Sequence, residues 1–235
     1  MSKIMIVLIF IFSINIEADM LRIEGGGGLY NVSSSGSLGY NDIPLVTLDD
    51  LGFDSSNNFY LWMMLKHPIP ILPNIRLEYT DIYMDSMENG AQTLNSFALT
   101  QYDMALFYNL LDNTFWMTLD LGIDLKYLKP SYRINPLLKE DSLSSDEIQV
   151  LLYLRSKVKI PITGLAVEGD IKGWSYDDVD LYDVRLKMIY SFESVPVVQP
   201  GIEIGYRIQK IDMKFGSLKT DVEFSGFFVG GVVRF

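Results

Sequence analysis

The sequence predicts an all-β fold: a closed antiparallel up-and-down transmembrane β-barrel of about ten strands, with eight or twelve as the alternatives. Three observations carry that expectation. Large apolar and polar residues alternate with period two over long stretches, the mark of strands with unlike faces. No segment repeats apolar residues at helical spacing between caps. The links between alternating stretches are compact and mostly Pro-containing on one side, and mostly longer and polar on the other.

Residues 1–18 read as an export signal ahead of a barrel domain at 19–235. Lys3 precedes an apolar run from Ile4 to Phe12, and a more polar stretch ends in Ala18. That is the order of a secretory signal peptide. The run is too short to span a bilayer as a helix, which needs about 20 residues. Ile16, three residues before the chosen cleavage point, is larger than such sites prefer.

Strands are expected at 20–32, 57–66, 74–85, 92–109, 113–128, 146–160, 164–176, 180–193, 199–212 and 221–235. The first carries Arg22 and Glu24 before Gly25 to Gly28, whose lack of bulk suits tight curvature. NIRLEYT at 74–80 sets Ile75, Leu77 and Tyr79 against Arg76, Glu78 and Thr80. The stretch at 94–111 comes nearest to a helix, yet Tyr102, Met104, Leu106 and Tyr108 alternate with Gln101, Asp103 and Ala105. MTLDLGIDLKYL at 117–128 sets Met117, Leu119, Leu121, Ile123, Leu125 and Tyr127 against Thr118, Asp120, Gly122, Asp124 and Lys126. LYLRSKVKI at 152–160 opposes Leu152, Leu154, Val158 and Ile160 to Arg155, Lys157 and Lys159. LYDVRLKMIYSF at 181–192 opposes Tyr182, Val184, Leu186, Met188, Tyr190 and Phe192 to Asp183, Arg185 and Lys187. GIEIGYRIQKI at 201–211 opposes Ile202, Ile204, Tyr206 and Ile208 to Glu203, Gly205, Arg207 and Gln209. The polar links are 33–56, 86–91, 129–145, 177–179 and 213–220, with a short helical turn expected at 47–53. The compact ones are 67–73, 109–113, 161–164 and 194–199.

Alternation alone does not say which face is wet. An export signal, strands long enough to cross about 25 Å of hydrocarbon while tilted, and segregated link lengths favour an apolar outside. Aromatics near the ends of the apolar faces (Phe115 and Tyr127, Tyr182 with Tyr190 and Phe192, Tyr79 with Tyr83) suit interfacial girdles. The expected inward set is then Arg22, Glu24, Arg76, Glu78, Asp103, Asp120, Asp124, Lys126, Arg155, Lys157, Lys159, Asp183, Arg185, Lys187, Glu203 and Arg207. Ionised groups cut off from bulk water need partners, so an ion-pair lattice is expected inside. A charged permeation path is the functional alternative.

Composition excludes much chemistry. A net charge of -11 without a basic cluster argues against nucleic acid. Cysteine is absent, which removes disulfides, thiolate catalysis and Cys-based zinc sites. The lone histidine, His67, sits beside Pro68 in a compact link, away from the rim where a hydrolase would keep its His. Acidic residues in the polar links (Asp49, Asp50, Asp54, Glu140, Asp141, Asp177, Asp178, Asp180) read as solvated loops, with divalent cation binding as the alternative. GGGG lacks the Lys-Ser/Thr and helix of a phosphate loop. No catalytic residue, metal ligand or cofactor site is assigned.

The chain ends FSGFFVGGVVRF, with Phe227, Val229, Gly231, Val233 and Phe235 alternating to the last residue. This resembles the C-terminal strand signature of outer-membrane barrels, which the barrel-assembly machinery reads. The stretches at 48–81, 160–169 (IPITGLAVEG), 180–193 (DLYDVRLKMIYSFE) and 201–207 (GIEIGYR) resemble a family of Gram-negative outer-membrane β-barrel proteins of unassigned activity. The resemblance implies an outer-membrane location, contact with outer-membrane lipids, and assembly through that machinery and periplasmic chaperones; it transfers no catalytic residues, because none are established for the family.

The expected function is a monomeric outer-membrane barrel with a structural, surface-binding or narrow-pore role. A hydrolase or transferase acting on envelope lipid is one alternative. A secreted soluble barrel binding an apolar ligand is another.

Overall fold

The computed structural model describes residues 21–40, 43–48, 52–53, 55–88, 92–134, 146–176, 179–192, 198–215 and 218–235. The signal segment lies outside them, as do Asp49, Asp50, Asp54, Glu140, Asp141, Asp177 and Asp178.

Strands β1 (Arg22–Tyr40), β2 (Ile43–Thr47), β3 (Ser56–Lys66), β4 (Asn74–Glu88), β5 (Gln92–Thr114), β6 (Met117–Ile134), β7 (Glu147–Ile160), β8 (Leu165–Tyr176), β9 (Val179–Ser191), β10 (Gln199–Phe215) and β11 (Leu218–Arg234) form one antiparallel sheet. Pairing of β1 with β11, from Glu24 opposite Arg234 to Tyr40 opposite Leu218, closes it into a barrel of ten long strands. Among the described residues, closure leaves no long strand with an unpaired edge in hydrocarbon. Short β2 follows the line of β3: β3 pairs β1 over Arg22–Val32, and β2 pairs it over Ser37–Tyr40.

The compact turns lie at one end, here the terminal end, where the Phe235 amide bonds the Ile23 carbonyl at 2.9 Å. Between the two ends of the lipid belt the apolar residues face out and the ionic ones face in. Leu121, Ile123 and Leu186 are 46%, 43% and 62% exposed, whereas Asp124 and Arg185 are buried. The outward run from Tyr182 to Phe192 rises roughly 33 Å along its strand, or about 25 Å along an axis tilted about 40°. The belt therefore matches the thickness of an outer-membrane hydrocarbon layer, and its exposed apolar surface excludes a soluble barrel.

At the far, or distal, end the polarity reverses. On β4 the inward sequence Arg76, Glu78, Thr80 gives way to Ile82 and Met84, while outward Ile75, Leu77, Tyr79 gives way to Asp81, Tyr83 and Asp85. On β5, opposite Thr80, Gln101 is followed toward the distal end by buried Leu99 and Phe97. On β10, Glu203, Arg207 and Gln209 yield to Ile211 and Met213 inside, with Lys210 and Asp212 outside. On β11, Val222 and Phe224 are buried while Glu223 and Ser225 face out. Beyond the lipid the wall meets water, so it packs as a soluble barrel does.

This extension corrects the expected boundaries. The polar link at 33–56 is largely strand: β1 runs to Tyr40 and returns as β2. Likewise β6 continues to Ile134, and β10 and β11 meet at Phe215 and Leu218. Small polar residues such as Ser33 to Ser37 give no apolar contrast, but their backbone amides still complete the ladder. Of the expected helical turn at 47–53, Thr47 ends β2, Leu48 and Gly52 lie in turns, and residues 49–51 lie outside the described residues. The turn placed at 109–113 is instead a two-residue link, Phe115–Trp116, reached through irregular pairing after Asn109.

The glycine run of β1 has two uses. A Cβ at Gly28 would collide with the Val229 carbonyl across the seam, and one at Gly26 would lie 2.7 Å from the Trp62 indole nitrogen. Missing side chains let β1 approach β11 closely and make room for Trp62 inside the barrel.

Candidate functional site in the barrel interior

Alternation on each strand turns a charged side chain inward every second residue, and the register stacks them at matching heights. Glu78 lies opposite Asp103, Asp103 opposite Lys126, and Asp183 opposite Arg207's neighbour Gln209. Among the described residues, nine interior carboxylates (Glu24, Glu78, Asp103, Asp120, Asp124, Glu168, Asp170, Asp183, Glu203) meet nine cations (Lys66, Arg76, Lys126, Arg155, Lys157, Lys172, Arg185, Lys187, Arg207). Equal numbers leave this layer without the net charge that a selective pore would use.

The contacts form a continuous network. Arg207 grips Asp183 through Nε at 2.9 Å and Nη2 at 2.6 Å, and donates to Thr80 Oγ1 at 3.0 Å. Lys126 joins Asp183 at 3.2 Å to Asp103 at 2.6 Å. Arg185 links Asp170 at 2.7 Å to Glu78 at 2.6 Å, and Lys172 holds the other Glu78 oxygen at 2.8 Å. Arg76 contacts Glu78 at 2.5 Å and Glu168 at 3.4 Å. Arg155 bridges Asp120 and Glu168 at 2.6 Å each. Lys187 binds Glu203 at 2.8 Å, and Glu203 also accepts from Tyr60 at 2.8 Å and Trp62 at 3.0 Å. Lys187 and Arg76 both lie over the Trp62 ring, 4.5 and 4.8 Å from its centroid.

Such groups are stable in a low dielectric only when paired and hydrogen-bonded. Asp124 is the most loosely held: like Asp103 it is buried and makes no hydrogen bond among the described residues, but Asp103 has Lys126 at 2.6 Å whereas Asp124 has Lys172 at 3.7 Å.

Of the residues assigned inward from the sequence, Arg76, Glu78, Asp103, Asp120, Asp124, Lys126, Arg155, Asp183, Arg185, Lys187, Glu203 and Arg207 are brought together in this network. Lys157 lies at its terminal edge, 3.5 Å from Glu24. Arg22 joins it through Asp112 at 3.6 Å, which Lys66 also approaches at 3.8 Å. Sequence reasoning missed Glu168, Asp170 and Lys172 of β8, although they occupy alternate positions; Gly169 and Gly173 blunt the apolar face opposite them. It also missed Lys66, Trp62 and Tyr60. Of the C-terminal signature, Phe227, Val229 and Phe235 are exposed on the lipid face and Val233 is half-buried.

Distal to the lattice, Gln101 and Gln209 exchange amide hydrogen bonds of 3.0 and 2.6 Å across the interior. Beyond them the apolar layer of Ile82, Leu99, Phe97, Ile211, Val222 and Phe224 fills the distal section. His67, the one histidine, is consumed by its own turn: its Nε2 meets the Pro73 carbonyl at 3.0 Å and Nδ1 accepts from the Ile69 amide at 3.2 Å. No group of three or more His, Cys, Asp and Glu arranged for a metal occurs among the described residues.

Apolar belt, charged interior and a sheet closed upon itself make this a β-barrel of the outer-membrane type. No protein-family model matches the chain, and no curated protein matches it. Among solved structures it is similar to the outer membrane protease OmpT from Escherichia coli, with 10% identity, coverage of 93% of this chain and 97% of that one, and a TM-score of 0.48. It is similar to Neisserial surface protein A at 15% identity, 91% and 95% coverage and a TM-score of 0.35. It is similar also to Ail, the attachment invasion locus protein of Yersinia pestis, at 11% identity, 92% and 100% coverage and a TM-score of 0.39.

Proposed function

We propose that the protein is a monomeric, non-conducting barrel of the bacterial outer membrane, with its compact turns in the periplasm and its distal section outside the cell. Its role is structural or surface-binding: a rigid wall that displays the distal end. One observation carries this reading. The interior is occupied by a charge-matched lattice through the depth of the lipid belt and by packed apolar side chains above it. A water-filled path needs unpaired polar lining, whereas this lining is turned on itself. The lone histidine, locked within its turn, supports a reading without acyl-transfer chemistry. The outward alternation of Phe227, Val229 and Phe235 supports assembly by the barrel machinery with its periplasmic chaperones.

Planar-bilayer recording of the refolded chain tests the reading. The expected trace shows membrane insertion without a steady open level. A stable ohmic conductance would establish the narrow pore instead. Comparison of lipid A from cells with and without the protein tests the enzyme alternative, and the expected outcome is identical lipid A.

A further inference from the structure

The charge balance of the lattice breaks down at the terminal mouth. A cavity of about 370 Å³ opens there, lined by Glu24, Lys157, Lys159 and Arg234 among its charged residues. Lys157 and Arg234 share the single carboxylate of Glu24, at 3.5 and 3.6 Å. Lys157 also approaches Glu168 at 3.7 Å, but that carboxylate is already held by Arg155 at 2.6 Å. Lys159 has no ion-pair partner among the described residues. Three cations thus face one anion in a chain whose net charge is -11.

The walls point to the ligand's other half. Inward-facing Ala166 and Ile189 meet outward-facing Ile160 and Ile162 at the same cavity, and Trp116 stands at its rim. The opening therefore reaches the lipid-facing edge of the barrel, at the depth where headgroups lie if this mouth faces the periplasm. We infer that the cavity binds a phosphate group, and that its natural source is the headgroup of an anionic phospholipid in the inner leaflet. Lys159 and Arg234 take the phosphate charge, while the apolar rim accompanies the first acyl segments. This rests on the membrane placement proposed above.

The test is native mass spectrometry of the refolded full chain in detergent, titrated with phosphatidylglycerol, phosphatidylcholine or inorganic phosphate. Heat-modifiable migration, read first, reports whether the barrel forms; a chain that forms none in detergent or bilayers overturns the membrane reading itself. The folded protein is expected to retain phosphatidylglycerol in preference to phosphatidylcholine. Lys159→Gln should weaken that retention about fivefold, and Arg234→Gln comparably. Lys210→Gln, at the distal end, should leave it unchanged. Displacement by millimolar inorganic phosphate supports the site and makes free phosphate a second source; resistance to it assigns the lipid alone. Equal retention of both lipids, or indifference to both Lys159→Gln and Arg234→Gln, overturns the inference.

Discussion

The rings of Phe97 and Phe224 stack 5.5 Å apart across the barrel, joining two strands that are not neighbours in the sheet. This contact belongs to the distal layer, where the inside is apolar and the outside polar. Phe224→Ala should therefore behave as a soluble-core truncation, costing about 3–5 kcal/mol. The adjacent pair offers an internal control. Val222→Glu buries an unpaired charge and should unfold the distal section, whereas Glu223→Val, on the outer face, should stay within about 1 kcal/mol despite losing a bond from Tyr182. Guanidinium unfolding of the refolded barrel in detergent measures all three. Equal costs at 222 and 223 would contradict the reversal of faces.

The same reversal sets the outer limit of the lipid. Ile123 and Lys129 both face outward on β6, but only Ile123 lies in the belt. The chain contains no cysteine, so single-cysteine variants report on a clean background. On intact cells a membrane-impermeant maleimide should label Lys129→Cys and spare Ile123→Cys. Labelling of position 129 only after the envelope is permeabilised would invert the proposed orientation.

Within the lattice, equal burial does not mean equal worth. Asp183 accepts two bonds from Arg207 and one from Lys126, so Asp183→Asn leaves two buried cations short of a partner and should cost about 3–5 kcal/mol. Asp124 is as buried but makes no hydrogen bond among the described residues, and Lys172 beside it is already held by Glu78. Asp124→Asn should cost no more than about 1 kcal/mol. The ranking, read as denaturant midpoints, fails if the two variants fall together.

How much of this was legible in the sequence depends on contrast. Through the lipid belt every outward residue must be apolar and every inward charge must be paired, so β6 and β9 announce both faces at once. Where glycine replaces the apolar partner, as at Gly169 and Gly173, the contrast drops, and Glu168, Asp170 and Lys172 passed unnoticed. Above the belt the faces exchange roles. A reading that keeps one phase along the strand then ends it early, which is how Ser33 to Tyr40 became a link. The partner choices, such as Glu203 with Tyr60 and Trp62 of β3, depend on which strands face each other across the interior, and spacing along the chain carries no record of that.

The turn between β5 and β6 holds Phe115 and Trp116 at φ of 51° and 64°. Two-residue hairpin turns with both centres in the left-handed region normally take Asn-Gly, because each bulky L-residue there costs roughly 1–2 kcal/mol. The aromatics also project outward, 87% and 57% exposed, which adds no packing within the barrel. An unfavourable backbone occupied by two exposed rings at the edge of an apolar belt is explained by the membrane interface, where such rings anchor. Replacing both, Phe115→Asn with Trp116→Gly, should raise stability in detergent micelles by about 1–2 kcal/mol, since the strain goes and little contact is lost. In phospholipid vesicles the same variant should insert more slowly and in smaller yield. Unfolding midpoints in micelles and insertion followed by heat-modifiable migration separate the two effects. A variant that loses stability in micelles yet inserts like the parent would show the rings to be packing residues, and the anchoring account would fall.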